Sequence, residues 1–138
     1  MRSLYFFYAS AIMLLSCNSS KETMKSATPL YTTRWSLKKI YTGNAIQAVE
    51  TKAFIRFDKE KGSAGGNGSC NSFGSSFSIN NDEVSFKNIF STKMYCEQVQ
   101  EIENKYFKQL GNANRFEIKD SSLVLYHDKE KLMEFIAE

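Results

Sequence analysis

Apolar and polar residues alternate with a period of two through most of this chain, and the period changes once. The alternation starts over 35–40, with Trp35 and Leu37 on one face. It returns over 53–58, where Ala53, Ile55 and Phe57 face one way and Arg56 the other. Phe54 then falls on the polar face, which predicts a sheet covered or curled on both sides. Further strands are predicted over 63–65, over 75–79 with Phe77 and Ile79 inward, and over 84–86. Between 41 and 52 no period is clear, so a loop with short extended pieces is predicted there. From Cys96 the spacing becomes helical. Val99, Ile102, Tyr106, Phe107 and Leu110 make one apolar stripe, and Gly111 stands where a left-handed C-cap is expected. Glu97, Glu101 and Glu103 come early and Lys105 and Lys108 late, which suits the helix dipole and reads as a solvated face. Three short strands follow, over 115–119, 123–127 and 132–136. Runs joined by Asp-, Asn- and Gly-bearing turns favour antiparallel pairing. The predicted class is α+β: a small, strongly curved or barrel-like antiparallel sheet with one main helix over about residues 96–110.

The first thirty residues do not share this pattern. Met1-Arg2-Ser3 precedes an apolar run from Leu4 to Leu15. Twelve helical residues would rise roughly 18 Å, short of the roughly 30 Å of a hydrocarbon core. A short positive start, an apolar run and a small residue describe a secretory signal. Here Leu14-Leu15-Ser16 is followed at once by Cys17, which resembles the bacterial lipobox, whose cysteine is lipidated and becomes the first residue of the mature protein. The alternative is a plain signal peptide cut near Ser16. The expected organisation is a signal peptide over 1–16, a lipidated Cys17 with a polar tether over 17–29, and one domain over 30–138. Several acyl chains on Cys17 would hold the protein to a membrane. The expected site is the cell envelope, at the outer membrane facing the periplasm.

Composition narrows the picture only slightly. The 138 residues are 42% apolar and 24% charged, ordinary for one globular domain. A formal net charge of +3, with scattered lysines, argues against a nucleic-acid surface. Aromatics reach 14%, and Tyr31, Tyr41, Phe54, Tyr95 and Tyr126 would mark a partner site if they clustered.

Two short stretches carry the candidate chemistry. The first, over 65–77, holds Gly65, Gly66, Gly68 and Gly74 together with Cys70 and Asn71; the second is Ser91-Thr92-Lys93-Met94-Tyr95-Cys96. Glycines inside a strand pattern mark bends, bulges or close backbone approach. They could also cradle a phosphate, but no Lys-Ser/Thr and no helix follows, so the P-loop reading fails. Together the stretches resemble the META (HslJ-like) domain family of bacterial envelope proteins. The resemblance rests on Trp35 near the start, on Gly66-Asn67-Gly68-Ser69-Cys70-Asn71-Ser72-Phe73, and on Thr92-Lys93-Met94-Tyr95-Cys96 opening the helix. Ser69 stands where the family usually has glycine. The resemblance covers about residues 30–138. It implies a small barrel-like α+β domain, often lipid-anchored or secreted, and no established chemical activity.

With Cys17 lipidated, Cys70 and Cys96 are the two remaining cysteines in an oxidising compartment, where a disulfide is expected. In the chain-entropy model, closing that loop stabilises by roughly 3 kcal/mol. A thiol nucleophile served by His127, a metal pair, or two unpaired thiols are the alternatives. Asn71 is expected to bond neighbouring backbone groups and Thr92 to cap the helix. The carboxylates suggest no acid–base pair. The expected function is therefore a non-catalytic, lipid-anchored envelope protein without cofactor or metal, a monomer that binds a protein or envelope component or serves under envelope stress. A thiol-dependent enzyme using Cys70 or Cys96, and an inhibitor or chaperone-like module presenting the glycine-rich loop, are the other readings.

Overall fold

The computed structural model of the protein describes residues 28–138. The expected signal segment, Cys17 and the tether up to residue 27 lie outside the described residues. Among those described, nine strands form one antiparallel sheet: β1 (Trp35–Thr42), β2 (Ala45–Ala48), β3 (Phe54–Asp58), β4 (Ser63–Asn67), β5 (Ser72–Asn80), β6 (Glu83–Ser91), β7 (Arg115–Lys119), β8 (Ser122–His127) and β9 (Glu130–Ala137). One helix, α1 (Gln100–Asn112), lies between β6 and β7. The pairings run β1-β3-β4-β5-β6-β7-β8-β9, and β9 returns to β1, so the sheet is strongly curved. The expected class holds.

The curl buries one set of alternating side chains. Trp35, Ile55, Leu123, Leu125, Met133 and Phe135 are wholly buried. In β1 the register against β9 jumps between Leu37 and Lys39. That extra residue lets Leu37 and Ile40 both face the core although they are three apart. Hairpin turns place Gly62, Asn81, Asp120 and Asp128 at positive φ, the conformation that tight turns between twisted strands demand of Gly, Asn and Asp.

The weakest seam is between β6 and β7, which share one bridge, Glu83 with Arg115. There α1 supplies the missing wall, packing on β6 and β9. Tyr106 is fully buried and meets Phe73 of β5 at 5.5 Å and Phe135 of β9 at 6.2 Å, ring centre to ring centre.

Several expectations are corrected. The helix starts at Gln100 rather than Cys96 and continues through Gly111, ending at an extended Ala113, so Gly111 is not a left-handed cap. Lys105 and Lys108 sit inside the helix, and its last turn has no basic residue. The presumed loop over 41–52 contains the end of β1 and all of β2. The glycine-rich strands are longer than expected, reaching Asn67 in β4 and starting at Ser72 in β5.

Candidate functional site: the disulfide corner

The tight connection from β4 to β5 and the segment from β6 to α1 meet, as the two cysteine-bearing stretches suggested. A disulfide joins Cys70 to Cys96, with Cα atoms 6.0 Å apart. The backbone around it is shaped by what touches it. A Cβ on Gly66 would overlap the carbonyl oxygen of Phe54 on the neighbouring strand, so only glycine keeps that ladder closed. A Cβ on Gly68 would stand 2.7 Å from the Phe107 ring and 3.1 Å from Glu103 Oε2. Ser69 adopts a φ of 121°, a conformation side chains avoid, which accounts for glycine being usual there. Its hydroxyl compensates by donating to Thr51 Oγ1 at 2.9 Å.

At the centre of the corner lies Glu103, only 2% exposed. Its Oε2 accepts the backbone N–H groups of Cys70 (2.9 Å) and Asn71 (2.6 Å), and its Oε1 accepts Asn71 Nδ2 at 2.6 Å. A buried carboxylate is tolerated only when such donors replace its water. Asn71, 3% exposed, carries the network onward. Its Nδ2 also donates to the Met94 carbonyl at 2.9 Å, and its Oδ1 accepts the Met94 N–H and the Thr92 hydroxyl, both at 2.8 Å. One amide thus ties the glycine-rich turn, the helix and the 92–94 segment together. Phe73 and Phe107 close the base, their rings 5.5 Å apart and each 5.5 Å from Tyr106. Above lies a shallow cleft of about 280 Å³ lined in part by Asn71, Thr92, Tyr95, Gln100 and Glu103.

The outer side of the same segment is apolar and bare. Met94 is 61% and Tyr95 77% exposed, although the residues around them are pinned. Phe90, four residues earlier, is also exposed.

These details decide the sequence-based roles. Trp35 is a core residue whose Nε1 donates to the Leu30 carbonyl at 3.1 Å. Gly66, Cys70, Asn71, Phe73, Thr92, Met94 and Cys96 all come to the one corner. Asn71 reaches across the fold instead of bonding its own neighbours, because its side chain is buried between two other segments. Thr92 does not cap α1, which begins eight residues later with no side-chain cap. Glu103 does not belong to a solvated face; sequence reasoning missed it, although it shares a helical stripe with Tyr106 and Leu110. His127 lies elsewhere, its Nδ1 2.9 Å from the Asn112 carbonyl at the far end of a helix about 18 Å long. The disulfide agrees with the expectation, and with that separation it removes the alternative of a thiol paired with His127. The candidate aromatics are also dispersed. Tyr126 is buried, while Tyr31 packs beside Phe77, at the other end of the β4–β5 hairpin from Cys70. Among the described residues no three His, Cys, Asp or Glu side chains converge as metal ligands.

The sequence model of the META domain matches residues 28–138. The chain belongs to the META domain family. This places Trp35 and the disulfide corner within one META domain that spans all the described residues. Two solved structures share the fold. One is the NMR structure of a protein from Burkholderia xenovorans, with a TM-score of 0.67 and 21% identity over 79% of this chain and 83% of that one. The other is the crystal structure of a DUF4847 family protein from Bacteroides vulgatus, with a TM-score of 0.59 and 13% identity over 78% and 93% of the two chains. At these identities the likeness concerns the fold alone. No curated protein sequence matches the chain.

Proposed function

We infer that this META-domain protein is a lipid-anchored cell-envelope protein that acts by binding, not by catalysis. The observation that carries the reading is how the corner spends its chemistry. Both sulfurs are bonded to each other, and the Glu103 carboxylate is occupied by three N–H donors. What remains on offer is the 92–96 segment, held in one shape and carrying Met94 and Tyr95 outward. Exposed apolar side chains on a pre-formed segment suit recognition of a protein surface, since little ordering entropy is lost on contact.

The path of the described chain suits an anchor on Cys17. The described chain begins with Thr28 bonded to the Asp120 carbonyl, and Tyr31 soon lies against Phe77 and under Lys59. Phe77 and the corner are separated along β5 by about five residues, or roughly 17 Å. A lipid on Cys17 would therefore hold the domain from the side away from the corner, leaving Met94 and Tyr95 open to the periplasm.

Two experiments test this reading. In cells, Cys17→Ser should move the protein from the membrane fraction to the soluble one; a wild-type protein already soluble would refute the anchor. A photoreactive amino acid at position 95 should give a discrete protein adduct that the same group at Lys129 does not. Equal adducts at both positions, or none at 95 in the oxidised protein, would refute binding through the corner.

A further inference from the structure

The geometry points to a division of labour at the corner: the disulfide clamps only the outer half of the presented segment, so its reduction would release that half while the sheet stays folded. The inference relies on the binding reading for its purpose but not for its evidence.

Consider what holds each residue of the segment. The inner half is secured without sulfur. Thr92 N–H donates to the Ser72 carbonyl at 3.0 Å, and the Asn71 amide grips both backbone groups of Met94. The facing turn is equally independent of the bond. Gly68 N–H donates to the Asn71 carbonyl at 2.8 Å, Ser69 N–H to Asn67 Oδ1 at 2.9 Å, and Glu103 takes the next two N–H groups. The outer half differs. Among the described residues, the hydrogen bonds of Cys96 to Val99 are short-range: Cys96 N–H to Gln100 Oε1 at 3.4 Å, Val99 N–H to the Cys96 carbonyl, and Glu103 N–H to the Val99 carbonyl. They run within the segment or to the helix that it leads into, and none of these bonds ties it to the sheet. Burial adds little, because Tyr95, Glu97 and Gln98 are exposed. Among the described residues, the sulfur bridge joins this half to the glycine-rich turn where no hydrogen bond does.

Both cysteines are partly exposed, so a dithiol reductant can reach them. Its thiolate attacks one sulfur, the S–S bond breaks, and the mixed disulfide resolves. Cys70 and Cys96 gain two S–H groups while the dithiol becomes a disulfide. Tyr95 then loses its fixed position and Met94 keeps most of its own. Binding through the pair becomes sensitive to redox state, by a local opening of the kind that spares the core.

Amide hydrogen exchange on the full-length protein, with and without a phosphine reductant, tests this directly. The expected result is at least tenfold faster exchange after reduction at the Cys96 and Val99 amides, the two of this half that have hydrogen-bond acceptors. Amides of Ile55, Leu125 and Met133, which open only with the whole fold, should quicken by one common factor and keep their chemical shifts, because the cross-link also restrains the unfolded chain. A Cys70→Ser, Cys96→Ser chain should reproduce the reduced pattern. Loss of the native strand chemical shifts on reduction would show that the disulfide staples the whole fold, and unchanged Cys96 and Val99 amides would show that other contacts hold the segment; either overturns the proposal. The readout involves no partner, so its failure leaves the binding reading to its own tests.

Discussion

Glu103 is the residue on which the corner turns. Replacing it with alanine leaves two backbone N–H groups and one amide hydrogen without their acceptors at a largely buried position. Losing buried bonds to a charged group costs about 1.5–3 kcal/mol each, so Glu103→Ala should destabilise the oxidised protein by about 3 kcal/mol or more. Glu103→Gln keeps one acceptor for the two backbone groups but turns a donor toward Asn71 Nδ2, and should cost less, about 1–3 kcal/mol. Urea unfolding of both variants checks the ranking; equal, sub-kilocalorie effects would mean that the carboxylate does not hold the turn. Ser69 gives a second ranking. Its φ of 121° suits glycine, whereas its hydroxyl bond to Thr51 suits serine. Ser69→Gly removes strain and the bond together, while Ser69→Ala keeps the strain and loses the bond. The glycine variant should be the more stable of the two by about 1 kcal/mol, measured as the shift in the same urea midpoint at constant slope.

The elements show how far the chain could be read without a structure. The hairpins of β3–β4 and β7–β8–β9 were legible because the period of two and the turn residues agreed. The helix was legible in its stripe but not in its ends. Cys96 to Val99 carry apolar residues at helical spacing, yet the disulfide holds Cys96 against the turn and the helix begins only after it. Gly111 looked like a stop, but it stays helical, and a Cβ there would meet only the Ile89 side chain, at 3.9 Å. β2 was hidden because Ala45, Ile46 and Ala48 are exposed and show no alternation. Among the motif residues, both cysteines were placed correctly, while the roles of Asn71, Thr92 and Glu103 depended on a meeting of distant segments that no local pattern encodes. The helix also yields a prediction. Leu110 is fully buried where α1 completes the wall beside β6, so Leu110→Ala should cost about 2–5 kcal/mol in thermal or urea unfolding. A cost below about 1 kcal/mol would mean that α1 only lies on the sheet.

Closure of the whole molecule depends on β1 meeting β9, and that seam titrates. Glu134 accepts Lys39 Nζ at 3.0 Å and the Tyr41 hydroxyl at 2.8 Å. Burial, then the hydrogen bond and charge of Glu134, push the Tyr41 phenol up to about 12. A raised folded value means that the unfolded chain loses this proton first. The contribution of Tyr41 is therefore complete below about pH 10, the ordinary phenol value, and is lost as pH rises toward about 12. For Glu134, burial opposes the charge, but the bonds from Tyr41 and Lys39 outweigh it and hold the carboxyl below its ordinary range. Its contribution is present at neutral pH and is lost as acid protonates it in the folded state. Urea midpoints between pH 9 and 12 should fall more steeply for the wild type than for Tyr41→Phe; parallel curves would show that the seam does not titrate this way.

On the proposed reading, the sulfurs of this META domain are committed to one structural bond, and the corner displays a surface instead of performing thiol chemistry. The most direct measurement is the alkylation state of Cys70 and Cys96 in protein trapped in unstressed cells before lysis, read by peptide mass before and after reduction. Both thiols should resist alkylation until a reductant is added, and then both should react. Two thiols that alkylate at once in the cellular protein would contradict the account and put sulfur-based catalysis back at its centre.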